Sequence, residues 1–126
     1  MRSEIKQGDA SAEYETDERC HIIEVANDSG DEQLSIARAR VDVGVTTAWH
    51  RLIGISERYI IVSGKGLMEV EDIEATCVGP GDVVRIPAGK AQRIANTGDE
   101  QLIFYAVCAP PFSAQAYINL ESSADL

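Results

Sequence analysis

Two stretches of this chain place glycine, histidine, glutamate and proline at fixed intervals inside strand-like sequence, and they restrict the fold more than any other feature. The first runs from Gly44 to Gly64 (GVTTAWHRLIGISERYIIVSG). Five residues separate Gly44 from His50, one separates His50 from Leu52, four separate Leu52 from Glu57, and six separate Glu57 from Gly64. The second runs from Gly81 to Asn96 (GDVVRIPAGKAQRIAN), with five residues between Gly81 and Pro87, one before Gly89, two before Gln92 and three before Asn96. Glycine reaches the positive φ that tight turns need. Gly44, Gly64, Gly81 and Gly89 therefore mark places where strands end and the chain reverses, and no catalytic role is needed to explain them.

The sequence between these glycines has the two-residue period of strands. Cys20 to Val25 is the first strand candidate, followed by turn chemistry at Asn27 to Glu32 (NDSGDE). Gln33 to Val43 alternates Ala37, Ala39 and Val41 with Arg38 and Arg40, so the small apolar face is expected to pack. Arg58 to Val62 is β-branched and aromatic. Leu67 to Val78 divides into two short strands around Glu71 and Asp72, and Gln101 to Cys108 is the longest apolar strand. Turns recur at short intervals and no stretch holds a 3.6-residue stripe over three turns. The expected class is an all-β sandwich or barrel.

Composition narrows the function classes. With 126 residues the chain holds one domain around one core, and 44% hydrophobic residues suit a globular protein. Nothing approaches the roughly 18 consecutive apolar residues of a transmembrane helix. The acidic opening, MRSEIKQGDASAEYETDE, lacks the apolar region of a secretory signal, so a cytoplasmic location is expected. A net charge of −10 repels phosphate backbones and anionic lipid, and neither nucleic acid nor membrane is an expected partner. Cys20, Cys77 and Cys108 are an odd number at wide spacing and are read as reduced thiols that pack; a reactive Cys108 is the sharper alternative.

The paired spacings resemble the two motifs of the cupin family, G-x5-H-x-H-x4-E-x6-G followed by G-x5-P-x-G-x2-H-x3-N. The resemblance implies a jelly-roll β-barrel, or double-stranded β-helix, over residues 19–111, with a polar acidic arm at 1–18 and a tail at 112–126. It also implies that His50, Glu57 and Gln92 converge inside the barrel, where family members hold a divalent transition metal with three histidines and a glutamate. Here the second histidine of the first motif is Leu52 and the histidine of the second motif is Gln92.

Residues two apart in a strand share a face, so His50 and Leu52 point together, as do Glu57 and Tyr59. His50 and Glu57 are the candidate catalytic pair; Leu52, Tyr59 and Gln92 are candidate ligand contacts. His50, Glu57 and Gln92 are also the remaining metal-ligand set. A neutral amide is a weak donor and leucine is none, so any metal (nickel, zinc, iron or manganese) is expected to be loosely held, and a metal-free hydrogen-bonded cluster is the competing arrangement. His21 lies on another strand and is read as a structural group. Trp49, Arg51, Arg58 and Arg93 alternate away from the site residues. The expected function is a pocket for a small polar organic ligand, a sugar derivative or a hydroxy or keto acid, with catalysis and simple binding both open. A weakly metal-dependent enzyme of isomerase, lyase or dioxygenase type and a non-catalytic structural or sensor domain are the alternatives. A homodimer is expected, because the last strand and the apolar residues of the tail exceed what a monomer of this size covers.

Overall fold

The computed structural model describes residues 1–121 and is built almost wholly from antiparallel strands. In chain order these are β1 (Tyr14–Glu15), β2 (His21–Ala26), β3 (Ser35–Val41), β4 (His50–Leu52), β5 (Ser56–Ser63), β6 (Gly66–Val70), β7 (Thr76–Val78), β8 (Val83–Ile86), β9 (Gln92–Asn96), β10 (Leu102–Ala109) and β11 (Tyr117–Asn119). They form two sheets. A six-stranded sheet has the order β1-β2-β3-β10-β5-β8, and a five-stranded sheet has the order β11-β4-β9-β6-β7. Strands adjacent in the chain repeatedly enter opposite sheets, as β4 and β5 do. The result is a two-sheet jelly roll.

Alternation decides which side chains meet between the sheets. β10 buries Leu102, Phe104, Ala106 and Cys108 and turns Ile103, Tyr105 and Val107 outward. Opposite it, β6 and β9 contribute Met68, Val70 and Ile94, and beside it in the same sheet β3 contributes Ala39 and Val41, the small apolar face expected from the sequence. A satellite cluster of Leu52, Ile55 and Cys108 packs against Phe112, Ala116 and Tyr117.

Gly64 shows why one turn admits no side chain. Its φ is +86°, and a Cβ there would stand 2.6 Å from the Gln101 carbonyl oxygen and 2.9 Å from the Leu102 Cα. Asn96, the last residue of the second block, closes the same end of the barrel: its amide donates to the carbonyl oxygens of Val41 and Glu100 at 2.9 and 2.8 Å. Both blocks thus end in positions fixed by backbone geometry.

The flanking segments join the sheets. Tyr14 and Glu15 pair with Ile22 and His21 as the edge of the larger sheet. Tyr117 to Asn119 pair with Leu52 to His50 of the same chain, after one helical turn at Ala114–Ala116. Residues 122–126, the end of the tail, lie outside the described residues. Among the described residues no helix is long and apolar enough to cross a membrane.

Candidate functional site

The strand period brings His50, Leu52, Glu57 and Tyr59 to the wall of a cavity of about 420 Å³ between the sheets. His50 comes from the five-stranded sheet and Glu57 from the six-stranded one. His50 is 5% exposed, Glu57 8% and Gln92 1%. Gln92 is the direct register partner of His50 across β4 and β9. It is not part of the cavity wall. It sits behind it, donating from Nε2 to Glu57 Oε1 at 2.8 Å and accepting at Oε1 from the Tyr59 hydroxyl at 2.6 Å. Tyr59 in turn stacks on Phe104, ring centroids 4.3 Å apart.

Gln92 therefore bridges a buried carboxylate and a buried phenol. Desolvation raises the Glu57 carboxyl above the usual carboxylate range, opposed by the Gln92 amide, by His50 and by the Cys108 thiol. That thiol lies 3.5 Å from Glu57 Oε2, and burial together with the neighbouring carboxylate pushes it far up. A thiol held up in this way is a poor nucleophile, since the thiolate is the reactive form. Cys20, also on the cavity wall, is pushed up to about 12 by burial and by Glu18.

His50 is fixed differently. Its Nδ1 lies 2.8 Å from the Ala48 carbonyl oxygen, which can only accept, so Nδ1 carries the proton and donates. In the neutral ring Nε2 then holds the lone pair. It has no hydrogen bond and opens onto the cavity, with Glu18 Oε2 at 4.0 Å. The Tyr117 ring stacks on the imidazole at 4.9 Å and 20°. Burial and the Glu18 carboxylate raise the Tyr117 phenol well above its ordinary value.

Glu18 and Tyr117 come from the segments flanking the two blocks, and sequence reasoning missed both. Glu18 belongs to a stretch whose polarity reads as solvated arm. Tyr117 carries no periodic pattern that marks it, and it stands in a tail whose other large apolar residues, Phe112, Ile118 and Leu120, do not single it out. Glu24 and Asp17 also reach the cavity wall. Four acidic residues thus line it, and no Lys or Arg does among the described residues. The other residues weighed from the sequence lie elsewhere: His21 pairs with Asp42 at 3.0 Å, Arg40 with Glu13 and Asp42, and Arg93 with Glu69 while its guanidinium covers Trp49 at 5.5 Å.

The donor chemistry does not fit a resident divalent metal. Leu52 supplies no donor, the Gln92 oxygen is occupied by Tyr59, and both Glu57 oxygens face donors of their own. Among the described residues no three His, Cys, Asp or Glu side chains converge as a metal site would require.

Two packed antiparallel sheets wound in this order, enclosing a pocket built from two spaced motifs, define a double-stranded β-helix protein. The cupin domain family matches residues 37–108, and the chain belongs to that family. The uncharacterized protein MJ1618 of Methanocaldococcus jannaschii is 35% identical over 79 residues, 63% of this chain and 62% of that protein's length. An uncharacterized double-stranded β-helix protein of Klebsiella pneumoniae superposes with a TM-score of 0.72 at 17% identity, over 89% of this chain and 93% of its own. Pac13 of Streptomyces, described as a nucleoside dehydratase, superposes with a TM-score of 0.74 at 16% identity, over 91% of this chain and 90% of its own. A predicted oxalate decarboxylase of Thermotoga maritima gives 0.66 at 24% identity, over 72% and 80%. At these identities the structural likenesses speak for the fold alone.

Proposed function

We propose that the cavity is a metal-independent pocket for a small organic ligand, in which His50 takes and returns a proton with Glu18 beside it. One observation carries the reading: the Ala48 carbonyl fixes the His50 tautomer, so that Nε2 offers its lone pair to the cavity 4.0 Å from a carboxylate. A base oriented in this way suits proton abstraction from a carbon next to a carbonyl or from a hydroxyl, the step shared by isomerisations and eliminations. Glu57, Gln92 and Tyr59 form the rigid wall behind it, each satisfied by the next. A neighbour described as a nucleoside dehydratase supports elimination as chemistry that this scaffold accommodates.

Of the two ligand classes expected from the sequence, the wall favours the sugar derivative over the hydroxy or keto acid. An anionic ligand would face four acidic residues in a site of reduced dielectric with no Lys or Arg to pair it. Imidazole ¹⁵N NMR tests the reading directly, because the chain has two histidines. The neutral form of His50 is expected as the Nδ1-H tautomer, with its Nε2 resonance moving when a ligand enters. An Nε2-H tautomer, or a stoichiometric divalent metal retained on His50 through purification without added metal, overturns it.

A further inference from the structure

The charged groups of the cavity are unequally divided. Among the hydroxyls of its wall, that of Tyr59 is engaged by Gln92 and that of Thr16 by the Cys20 carbonyl, and the side chains of Tyr14, Thr47 and Asn119 line the space as neutral polar groups. The charge on the wall is of one sign. His50 Nε2, on a side chain 5% exposed, has no partner and points into the space, and Glu18 and Glu24 add carboxylates. Arg19, the cation next to Glu18 in the chain, is turned away, holding both carboxylate oxygens of Glu121 at 2.9 and 2.7 Å and the Thr46 carbonyl at 2.8 Å. Apolar and aromatic side chains also line the space, the rings of Phe104 and Tyr117 among them.

We infer that the ligand of this pocket is a small organic cation, a protonated primary amine on a compact and partly apolar frame. Its N–H groups donate to His50 Nε2 and Glu18, Glu24 adds attraction from β2, and the frame packs against the aromatic faces. An ammonium group carries three donors and no acceptor, the complement of His50 Nε2 and the Glu18 carboxylate. Aromatic faces beside it add cation-π attraction. The inference rests on the cavity being a ligand pocket, and it sets a charged, partly apolar amine in place of the neutral sugar derivative.

The test separates the two. Three carbon frames (butyl, cyclohexylmethyl and phenylethyl) are each titrated calorimetrically into the full-length protein as the amine, the alcohol and the carboxylate. The amine of at least one frame is expected to bind about tenfold or more tighter than its alcohol, with the carboxylate weakest, since a charged hydrogen bond in a partly buried site is worth about this ratio. Glu18→Gln, close to isosteric, is expected to remove most of the amine's advantage and leave the alcohol unchanged; Glu24→Gln removes a smaller part. Thermal unfolding of the unliganded variants confirms that they fold. Equal binding of amine and alcohol, preference for the carboxylate, or an advantage that survives both substitutions overturns the cation while the pocket stands. No heat from any of the nine compounds at millimolar concentration overturns the pocket and the cation together.

Discussion

Glu18 Oε2 stands 4.0 Å from His50 Nε2, and a single residue ties the two together. The Ala48 N–H donates to the Glu18 carbonyl at 3.1 Å, and the Ala48 carbonyl accepts from His50 Nδ1 at 2.8 Å. Next to Glu18, Arg19 adopts a φ of +66°, a conformation that a side-chain-bearing residue keeps only where its surroundings hold it. Those surroundings are Thr46 and Glu121, so a strained residue links the segment before the barrel to the segment after it.

That link has a pH signature. The Arg19 guanidinium beside Glu121, helped by the Trp49 N–H, holds its carboxyl down at about 2, against 4.5 unperturbed. A depressed carboxyl contributes stability above its unfolded value and loses it as pH falls toward the folded one. Glu121→Gln should lower the melting temperature at pH 7 by the equivalent of about 0.5 to 1 kcal/mol, the range for an exposed pair of good geometry. The difference from the native protein should shrink between pH 4.5 and 3. Calorimetric scans across that range check it, and a difference that stays constant removes the ionic link.

Glu57 predicts the opposite slope. Burial raises its carboxyl above 4.5, so the folded protein binds this proton more tightly than the unfolded chain does. The stabilisation it brings is complete below about pH 4.5 and disappears as pH rises through the folded value. Glu57→Gln keeps an oxygen for the Gln92 amide and removes the charge. Its melting temperature relative to native should therefore improve with rising pH, reaching on the order of a few degrees at pH 8. A relative stability that falls with pH would mean that Glu57 is held ionised.

The wall behind the site was legible because it repeats along the strands. His50, Leu52, Glu57 and Tyr59 obey a period of two within two short stretches, and the turns between them are set by glycines whose φ values are positive. The nearness of Gln92 to His50 follows from the resemblance of the paired motifs and not from the period, and which way its amide turns depends on Tyr59 and Glu57 meeting it from the other sheet. Glu18 and Tyr117 were illegible for a different reason. Each reaches His50 through pairing with a remote strand or loop, Tyr117 with Leu52 and the Glu18 carbonyl with Ala48, and long-range pairing leaves no local pattern. Their polarity and short strands read as flanking chain.

The core predicts a plain energetic cost. Ile94 is fully buried on β9 and packs in the main cluster with Met68 and Leu102. Ile94→Ala should destabilise by about 2 to 5 kcal/mol, from lost transfer energy and an unfilled cavity. Urea unfolding reads it from the midpoint at unchanged slope. A loss below about 1 kcal/mol, the size of an Ile→Val change, would show that the sheets close over the gap.

We expect the chain to form a two-fold dimer through the outer face of the larger sheet. Ile60, Val62 and Val83 stand 42, 47 and 58% exposed there. Ile60 is in register with Val83 on one side and Tyr105 on the other, so the apolar residues are contiguous. Self-association through one patch on both copies gives closed two-fold symmetry. Light scattering should report twice the mass of the chain, and Ile60→Asp should halve it without unfolding the protein. A monomeric native protein at micromolar concentration contradicts the expectation.

The metal question has a constructive test. Leu52 lies two residues from His50 on the same face of β4, and Gln92 is His50's register partner on β9. Imidazoles at both positions would join His50 in supplying three nitrogen donors around one point, with Glu57 released from its amide partner. Affinity for first-row divalent metals follows the number and type of donors. Leu52→His combined with Gln92→His should therefore bind nickel or zinc orders of magnitude more tightly than the native protein. The gain should vanish when His50→Ala is added, because His50 is the nitrogen donor already in place. Removing Gln92 also leaves the Tyr59 hydroxyl without its acceptor, at a cost of about 1 to 3 kcal/mol, so metal-free unfolding of the double variant should show a loss of that size. Calorimetry with nickel decides the matter. Native affinity that is already sub-micromolar, and that survives His50→Ala, would place the ligands elsewhere in the molecule and detach the metal from this cavity.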